Sequence, residues 1–324
     1  DEPRSMRVNL ILFAIIAAVL TAGFIWPDSQ TGGLYPVPKV KIFVPSKPGG
    51  TTDATARAFA RSLERHTGAK AVVINQTAGG GTVAVSSVAD AKGDGGTLLV
   101  FHAMLHVSHG TGRMAVGASD LTPLATVSRA TDVYVVRAGT PFNTLEELFS
   151  HAQQQELLIA SQMGGTTQLK ASALAAAAAE RHGRLRPVAV GGMVKRLTAL
   201  LGGQVDVSIV DLKTARQYFD AGSIKPLAVI SNRRDPFEPG WPTAQEQDVN
   251  IDLAQVGEIY APGEMSAHTI GVMDTLLADV LQDAELINEL ARVKQSPEYR
   301  QAADATEFIR AEEARVRDML EAGF

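Results

Sequence analysis

The sequence predicts an α/β fold of two lobes, and three observations support this prediction. The chain has 324 residues, of which 45% are hydrophobic and 20% charged. This length is too great for one ordinary hydrophobic core and suits two compact lobes. Short apolar runs alternate with amphipathic helical stretches from residue 40 onward, which is typical of parallel strands joined by helices. The order of these elements indicates a chain that crosses between the lobes twice and leaves a hinged cleft suited to a ligand.

An apolar segment precedes this fold. The run from Val8 to Trp26 is almost entirely apolar and follows the basic residue Arg7. A basic residue before an apolar run is the layout of an export signal, and this run also approaches the length that spans a membrane. Residues 1–27 are therefore expected to be either a cleaved signal peptide or an anchor in the inner membrane. Both alternatives place the remaining chain in the periplasm.

The regular elements follow a linker at residues 28–38 that is rich in glycine and proline. Strands are predicted at residues 40–44, 71–75, 97–101, 133–137, 157–161, 186–190, 205–210, 225–230 and 257–262. Helices are predicted at residues 53–66, 82–91, 144–155, 167–181, 194–201, 212–221, 267–281, 284–293 and 306–320. We expect residues 39–130 and 248–324 to form the first lobe, and residues 131–247 to form the second.

Two of the helix starts carry capping residues. The hydroxyl of Thr144 can accept a hydrogen bond from a free N–H group at the start of the predicted helix. Glu146 and Glu147 follow in the first turn, at the positive end of the helix dipole. Thr306 followed by Glu307 opens the last predicted helix in the same way.

The composition excludes several classes of function. The formal net charge is −5, so no basic surface is available for nucleic acid or an anionic membrane, and an acidic ligand must be held by local geometry. Aromatic residues make up only 6%, which argues against a stacking platform for bases or sugars. The chain has no cysteine, which removes disulfides, thiolate zinc sites and cysteine nucleophiles and is compatible with an oxidising compartment.

Four glycine-rich loops each follow a predicted strand and precede a predicted helix. They are residues 46–52, 78–82, 161–167 and 191–193. Glycine lets the backbone turn at positive φ, the following helix offers unpaired N–H groups, and serine or threonine hydroxyls add donors that suit carboxylate oxygens. Ordinary turn and capping chemistry explains any one loop. Four together predict a shared anion site at the carboxyl ends of the strands.

One of these loops formally matches a dinucleotide-binding fingerprint. The match, residues 79–84, follows the second strand, and no acidic residue closes a following strand about twenty residues on. The sequence also has no phosphate-binding Gly-Lys-Ser/Thr loop, no nucleophile elbow and no zinc-protease motif. We therefore predict no cofactor and no bound nucleotide.

A histidine cluster follows the third strand. The spacing of His102, His106 and His109 leaves a metal site or a proton switch open. No acidic residue lies nearby in the sequence, and Gly110 and Gly112 favour a loop. Solvated or ligand-contacting loop histidines are the preferred interpretation, and no metal is predicted.

Charged residues near the loops have two interpretations each. Asp53 and Asp211 stand where helix-capping residues belong, or they form an acidic pair for acid–base chemistry or for an ammonium group. No nucleophile or metal set accompanies them, so the chain is predicted not to be an enzyme. The cations nearest the loops are Lys47, Lys195 and Arg196. Each of them is either a solvated surface residue or a partner for a negative charge on the ligand.

Several motifs resemble the substrate-binding receptors of tripartite tricarboxylate transporters, the TctC or Bug family. The most specific is LLGGQVD at residues 200–206, and PGGTTD at residues 48–53 resembles the opening motif of that family. The other matching stretches are residues 40–45, 75–81, 89–98, 121–125, 211–212, 221–228 and 241–243. The resemblance covers residues 35–324 in the expected order.

The resemblance implies a periplasmic-binding-protein fold that closes on a small carboxylate and delivers it to membrane permease subunits. It implies that the loops at residues 48–53 and 161–167 clamp the ligand from opposite lobes. The resulting set of ligand-binding residues is Lys47, Pro48, Gly49, Gly50, Thr51, Thr52, Asp53, Gly80, Gly81, His102, Ser161, Gly164, Gly165, Thr166, Thr167, Gly192 and Asp211. Lys47 and Gln168 depart from the residues that are frequent in the family.

The ligand is expected to be a di- or tricarboxylate, because Lys47, Arg196 and the histidines can neutralise a second charge. Two alternatives stay open. The same fold can pass ligand occupancy to a membrane kinase, or it can act as an extracytoplasmic enzyme of small acids or esters that uses Asp53, Asp211 and the histidines.

Overall fold

The computed structural model describes residues 35–323 and contains two β-sheets flanked by helices. The strands in chain order are β1 (Lys39–Val44), β2 (Lys70–Asn75), β3 (Thr97–Phe101), β4 (Leu121–Ala130), β5 (Asp132–Arg137), β6 (Leu157–Ser161), β7 (Leu185–Ala189), β8 (Val207–Asp211), β9 (Ile224–Val229), β10 (Gln255–Pro262) and β11 (Ser296–Arg300). The helices are α1 (Thr51–Thr67), α2 (Thr82–Ala89), α3 (Met104–Gly110), α4 (Leu145–Gln154), α5 (Thr166–Glu180), α6 (Met193–Leu201), α7 (Leu212–Asp220), α8 (Ala267–Leu281), α9 (Ala284–Arg292) and α10 (Ala302–Glu321).

The first lobe is built on a six-stranded sheet with the order β11-β4-β10-β3-β1-β2. β1 lies parallel to β2 and β3, whereas β10 runs antiparallel to β3 and β4. Helices cover both faces, so the central strand β3 is buried at four consecutive positions, from Leu98 to Phe101. On α1, the buried residues Ala56, Phe59 and Leu63 recur every three or four positions and pack on this sheet.

The second lobe is built on a five-stranded sheet with the order β7-β6-β8-β5-β9. β6 lies parallel to β7 and β8, and β5 is antiparallel to β8 and β9. One face packs on α4 and α5, and the other packs on α6 and α7. The predicted α/β fold of two lobes is therefore confirmed.

The chain passes between the sheets twice. Thr131 alone separates β4 of the first sheet from β5 of the second, and the segment after β9 returns to the first sheet at β10. On that return, Val249, Ile251 and Leu253 share the apolar cluster that supports the second sheet. Val316 of α10 joins the same cluster, so the last helix packs on both lobes.

Some local predictions were wrong. The histidine segment expected to be a loop contains helix α3, and strand β11 was not anticipated. The last helix begins at Ala302 instead of residue 306, because Asp274 of α8 accepts a hydrogen bond from the Ala302 amide at 2.8 Å. Within residues 35–323, no helix is long and apolar enough to cross a membrane. The apolar run from Val8 to Trp26 lies outside the described residues.

Candidate functional site

A cavity of about 520 Å³ lies between the two lobes. Its walls form where β1, β2, β3, β6 and β8 end and where β5 and β10 begin. The carboxyl ends of strands are the edge at which open α/β sheets bind ligands. This cavity, called the cleft below, is the candidate site.

All four predicted glycine-rich loops contribute to the cleft. The predicted ligand-binding residues that line it are Lys47, Gly50, Thr51, Thr52, Gly80, His102, Gly165, Thr166, Thr167 and Asp211. The cleft is also lined by side chains that were absent from the predicted set, among them Thr77, Arg113, Asp132, Arg196 and Gln255.

The remaining predicted residues do not line the cleft. They are Pro48, Gly49, Asp53, Gly81, Ser161, Gly164 and Gly192. Several of them shape the loops instead. A Cβ on Gly81 would lie 2.7 Å from the Cβ of Pro45, and the Ser161 hydroxyl donates to the Val188 carbonyl at 3.3 Å.

Two loops approach the cleft from opposite lobes. The first loop, residues 45–52, joins β1 to α1, and the second loop, residues 162–167, joins β6 to α5. Each loop ends at the N-terminus of a helix, where backbone N–H groups and the positive end of the helix dipole favour an anion.

The first loop is anchored by one buried carboxylate. Asp53 is 3% exposed and accepts hydrogen bonds from the Gly49 amide and the Asn75 side chain, both at 2.9 Å. Arg57 donates from Nε to both carboxylate oxygens at 3.0 Å, one helical turn away. Asn75 also donates to the Ser46 carbonyl at 3.1 Å, so the carboxylate network holds two points of the loop.

These contacts also keep Asp53 ionised. Burial disfavours the charged carboxylate, but hydrogen bonds from Arg57, Gly49 and Asn75, together with the charge of Arg57, outweigh it. The pKa of Asp53 therefore lies below its ordinary value of 3.8. A carboxylate so fully engaged serves to fix the loop.

The second loop is anchored by neutral groups of its own lobe. The backbone N–H of Gln162 donates to Thr167 Oγ1 at 3.0 Å, and the backbone N–H of Gly164 donates to Gln168 Oε1 at 2.7 Å. Gly164 has a φ of 66°, which an L side chain adopts only with strain. Gln168 therefore supports the loop from the first turn of α5.

One contact joins the second loop to the opposite lobe. Arg113, which follows α3, donates from Nη1 to the Met163 carbonyl at 2.8 Å. A Cβ on Gly164 would overlap this guanidinium, so the glycine leaves the space that Arg113 occupies.

Several helices begin at the cleft without a side-chain cap. In the described part of the chain, α1, α5 and α6 begin at Thr51, Thr166 and Met193, which line the cleft, and no side chain accepts a capping hydrogen bond there. The starts of α4, α8 and α9 do not line the cleft, and they are capped by the side chains of Thr144, Ser266 and Asp283. The N–H groups left free at the cleft are available to a ligand.

Asp211 is an exception among these helix starts. Its carboxylate accepts hydrogen bonds from the Thr214 amide and from the Thr214 hydroxyl, both at 2.9 Å, and it caps α7. Asp211 therefore presents to the cleft a negative charge that is already engaged in capping.

The base of the cleft holds an ion pair that the sequence analysis missed. Lys170 is 0% exposed and pairs with Asp132, and Gln255 donates to both oxygens of Asp132 at 3.2 Å. The three residues come from α5, β5 and β10. The spacing of Lys170 with the buried residues Leu174 and Ala178 was the available sign that this lysine faces the interior.

The three histidines separate in the structure. His102 lines the cleft, and desolvation lowers its pKa to about 4, so it is neutral near pH 7. His106 is buried, and its Nε2 lies 3.3 Å from Glu258 Oε1. Burial alone would lower the pKa of His106, but the negative charge of Glu258 and the hydrogen bond to it raise that pKa above its ordinary value. Glu258 also accepts from the Tyr260 hydroxyl at 2.7 Å. The sequence around the histidines contains no acidic residue, and the structure places Glu258 of β10 next to His106 instead.

Two α/β lobes joined by two crossings, with a cleft walled by uncapped helix starts, define a two-lobed solute-binding protein. A family model described as "Tripartite tricarboxylate transporter family receptor" (TctC) matches residues 55–323. The chain belongs to this family of periplasmic solute-binding receptors, which confirms the resemblance found in the sequence.

Curated relatives match over most of their length. Protein BugT of Bordetella pertussis is 26% identical over 305 residues, with 90% of each chain covered. A protein of Pseudomonas sp. strain P51, named for the tcbD-tcbE intergenic region, is 32% identical over 240 residues, which cover 73% of this chain and 70% of the relative.

Solved structures share the fold. Rpa4515 of R. palustris with adipate is 25% identical, with a TM-score of 0.76 over 89% of this chain and 97% of the other. MatC of Rhodopseudomonas palustris with bound malate is 23% identical, with a TM-score of 0.73 over 88% of this chain and 99% of the other. A TctC solute-binding protein from Polaromonas reaches a TM-score of 0.76 at 22% identity.

Proposed function

We propose that this chain is an extracytoplasmic receptor that captures a small organic carboxylate for the membrane permease of a tripartite tricarboxylate-type transporter. The observation that carries the proposal is the pair of uncapped helix starts at Gly50 and Gly165, which reach one cleft from opposite lobes. Membership of the receptor family supports the same conclusion.

In this proposal, a carboxylate binds where the two loops meet. The free N–H groups at the starts of α1 and α5 donate to its oxygens, and the hydroxyls of Thr51, Thr52 and Thr166 add donors. Because one loop belongs to each lobe, a ligand that contacts both loops favours the arrangement in which the lobes lie close together.

We infer that di- and tricarboxylates are favoured ligands. Lys47, Arg113 and Arg196 line the cleft as cations, whereas Asp132 is neutralised by Lys170. Two structural relatives, MatC with bound malate and Rpa4515 with adipate, carry dicarboxylates, which is consistent with this inference.

We propose binding without turnover. An acid–base mechanism that used the pair Asp53 and Asp211 would need at least one of these carboxyl groups to be free to exchange a proton with the ligand. Asp53 does not line the cleft and is held by Arg57, Gly49 and Asn75, and Asp211 is engaged with Thr214.

Isothermal titration and thermal unfolding of the purified protein against mono-, di- and tricarboxylates test the binding proposal. A true ligand at about 100 times its Kd stabilises the folded protein by about 2.7 kcal/mol. Stabilisation by a sugar or a nucleotide, with no response to any carboxylate, would contradict the proposal.

Uptake of the labelled ligand tests the transport proposal. Cells that lack this receptor are expected to lose high-affinity uptake and to regain it when the gene is restored. Normal uptake combined with a lost transcriptional response to the ligand would instead assign the receptor to sensing.

A further inference from the structure

Arg196 is a buried cation on the wall of the cleft. It lies in the first turns of α6 and is 5% exposed. Its Nη1 donates to the Gly191 carbonyl at 2.8 Å, and its Nη2 donates to the Ile209 carbonyl at 3.0 Å. Both partners are neutral backbone groups, so they orient the guanidinium without balancing its charge.

No acidic side chain of residues 35–323 forms an ion pair with Arg196. The two acids that line the same cleft are engaged elsewhere, Asp132 with Lys170 and Gln255, and Asp211 with Thr214. Arg196 Nε is buried with no hydrogen-bond partner among the described residues. Burial lowers the pKa of Arg196, and the negative charge of Asp132, which is paired with Lys170, opposes this effect only in part. A guanidinium stays charged all the same, and a buried charge without a counter-ion in direct contact is costly.

The other two cations of the cleft are placed differently. Lys47 and Arg113 are exposed, and Arg113 already donates to the Met163 carbonyl. Water screens charges at exposed positions, whereas a charge pair in a desolvated wall interacts more strongly. Among the cations that line the cleft, Arg196 therefore has the greatest electrostatic effect on a charged ligand.

We propose that Arg196 is the counter-ion of a second carboxylate of the ligand and sets the preference for dicarboxylates over monocarboxylates. The inference rests on the proposed function, in which the first carboxylate binds at the starts of α1 and α5. The second carboxylate lies against the Arg196 guanidinium on the wall of the cleft, next to the uncapped start of α6 at Gly192, and balances its charge.

Isothermal titration with pairs of acids of equal chain length tests this role. Suitable pairs are succinate with butanoate and adipate with hexanoate, which differ only in the second carboxylate. In Arg196→Gln, affinity for the diacid is expected to fall by about tenfold to a hundredfold, while affinity for the monoacid stays close to that of the wild type. Lys195→Gln is the matched control, because it removes an exposed positive charge from the same helix outside the cleft.

Arg196→Lys keeps the charge but loses the planar donor edge, so it is expected to keep part of the diacid preference. Arg196→Lys also serves as the test if Arg196→Gln does not fold. In that case, complete retention of the diacid affinity would overturn the role of Arg196.

An equal loss of affinity for both acids in Arg196→Gln would show that the arginine is purely structural. A wild-type protein that binds both acids of each pair equally would overturn the role of Arg196 but leave the carboxylate receptor standing. A wild-type protein that binds no carboxylate would overturn the proposed function itself.

Discussion

The first and second loops perform the same task with different supports. The first loop depends on an ionised carboxylate, Asp53, whose partners all belong to its own lobe. The second loop depends on the neutral side chains of Thr167 and Gln168 and on Arg113, which reaches it from the other lobe. The first loop is therefore fixed whether or not the lobes are close, whereas part of the support of the second loop depends on the approach of the lobes.

This difference predicts separate sensitivities. Changes of charge or pH at Asp53 should act on the first loop and on the stability of the first lobe. Changes at Arg113 or Gly164 should act mainly on ligand binding, because the contact that they affect joins the two lobes.

Removal of the Asp53 carboxylate is the largest expected effect. Asp53→Ala leaves the Gly49 amide and the Asn75 side chain without their acceptor, so the free energy of unfolding should fall by about 2–4 kcal/mol. Urea unfolding without ligand measures the loss. Asp90→Ala is the control, since Asp90 is an exposed acid at the end of α2 in the same lobe and should change stability little. Equal stability of the two variants would mean that Asp53 does not anchor the loop.

The pH dependence of that stability difference is the second prediction. The pKa of Asp53 is lowered on folding, so its stabilisation is complete above the unfolded pKa of about 3.9 and is lost as pH falls through the lowered folded value. The difference in unfolding free energy between wild type and Asp53→Ala should be constant down to about pH 5 and shrink below about pH 4. A difference that stays the same at lower pH would show that the charge of Asp53 is unimportant.

The features predicted from sequence were those with local causes. The glycine loops, the Thr144 cap and the capping role considered for Asp211 depend on neighbours within a few residues, and the structure contains all of them. The ion pair of Asp53 also had a local sign in the sequence, because Arg57 follows Asp53 at the spacing of one helical turn.

The features that sequence analysis missed depend on partners far along the chain. Lys170 meets Asp132 across 38 positions, and His106 meets Glu258 across 152 positions. The Ala302 start of α10 is set by a carboxylate on another helix, which overrides the local signal at Thr306. Such pairings follow from sheet order and lobe crossing, and a single sequence does not specify them.

Replacement of Gly164 tests the second loop with an internal control. Gly164 and Gly222 both have a φ of 66°, so alanine at either position should cost about 1–2 kcal/mol in backbone strain. Nothing lies within 4 Å of a Cβ on Gly222, whereas a Cβ on Gly164 would overlap Arg113. Both variants should lose similar stability by urea unfolding, but only Gly164→Ala should bind the ligand more weakly by isothermal titration. Equal binding by the two variants would disprove the role of this contact.

Removal of the contact from the other lobe is the smallest expected effect. Arg113→Gln loses the hydrogen bond to Met163 at an exposed position, so the ligand Kd should rise by less than about tenfold, with little change in stability. Because Gly164→Ala displaces the same guanidinium, the double variant should bind less weakly than the sum of the two single effects predicts. Titration of the four proteins measures this coupling. Strict additivity would mean that Arg113 and Gly164 act on binding independently, and the second loop would then be as self-contained as the first.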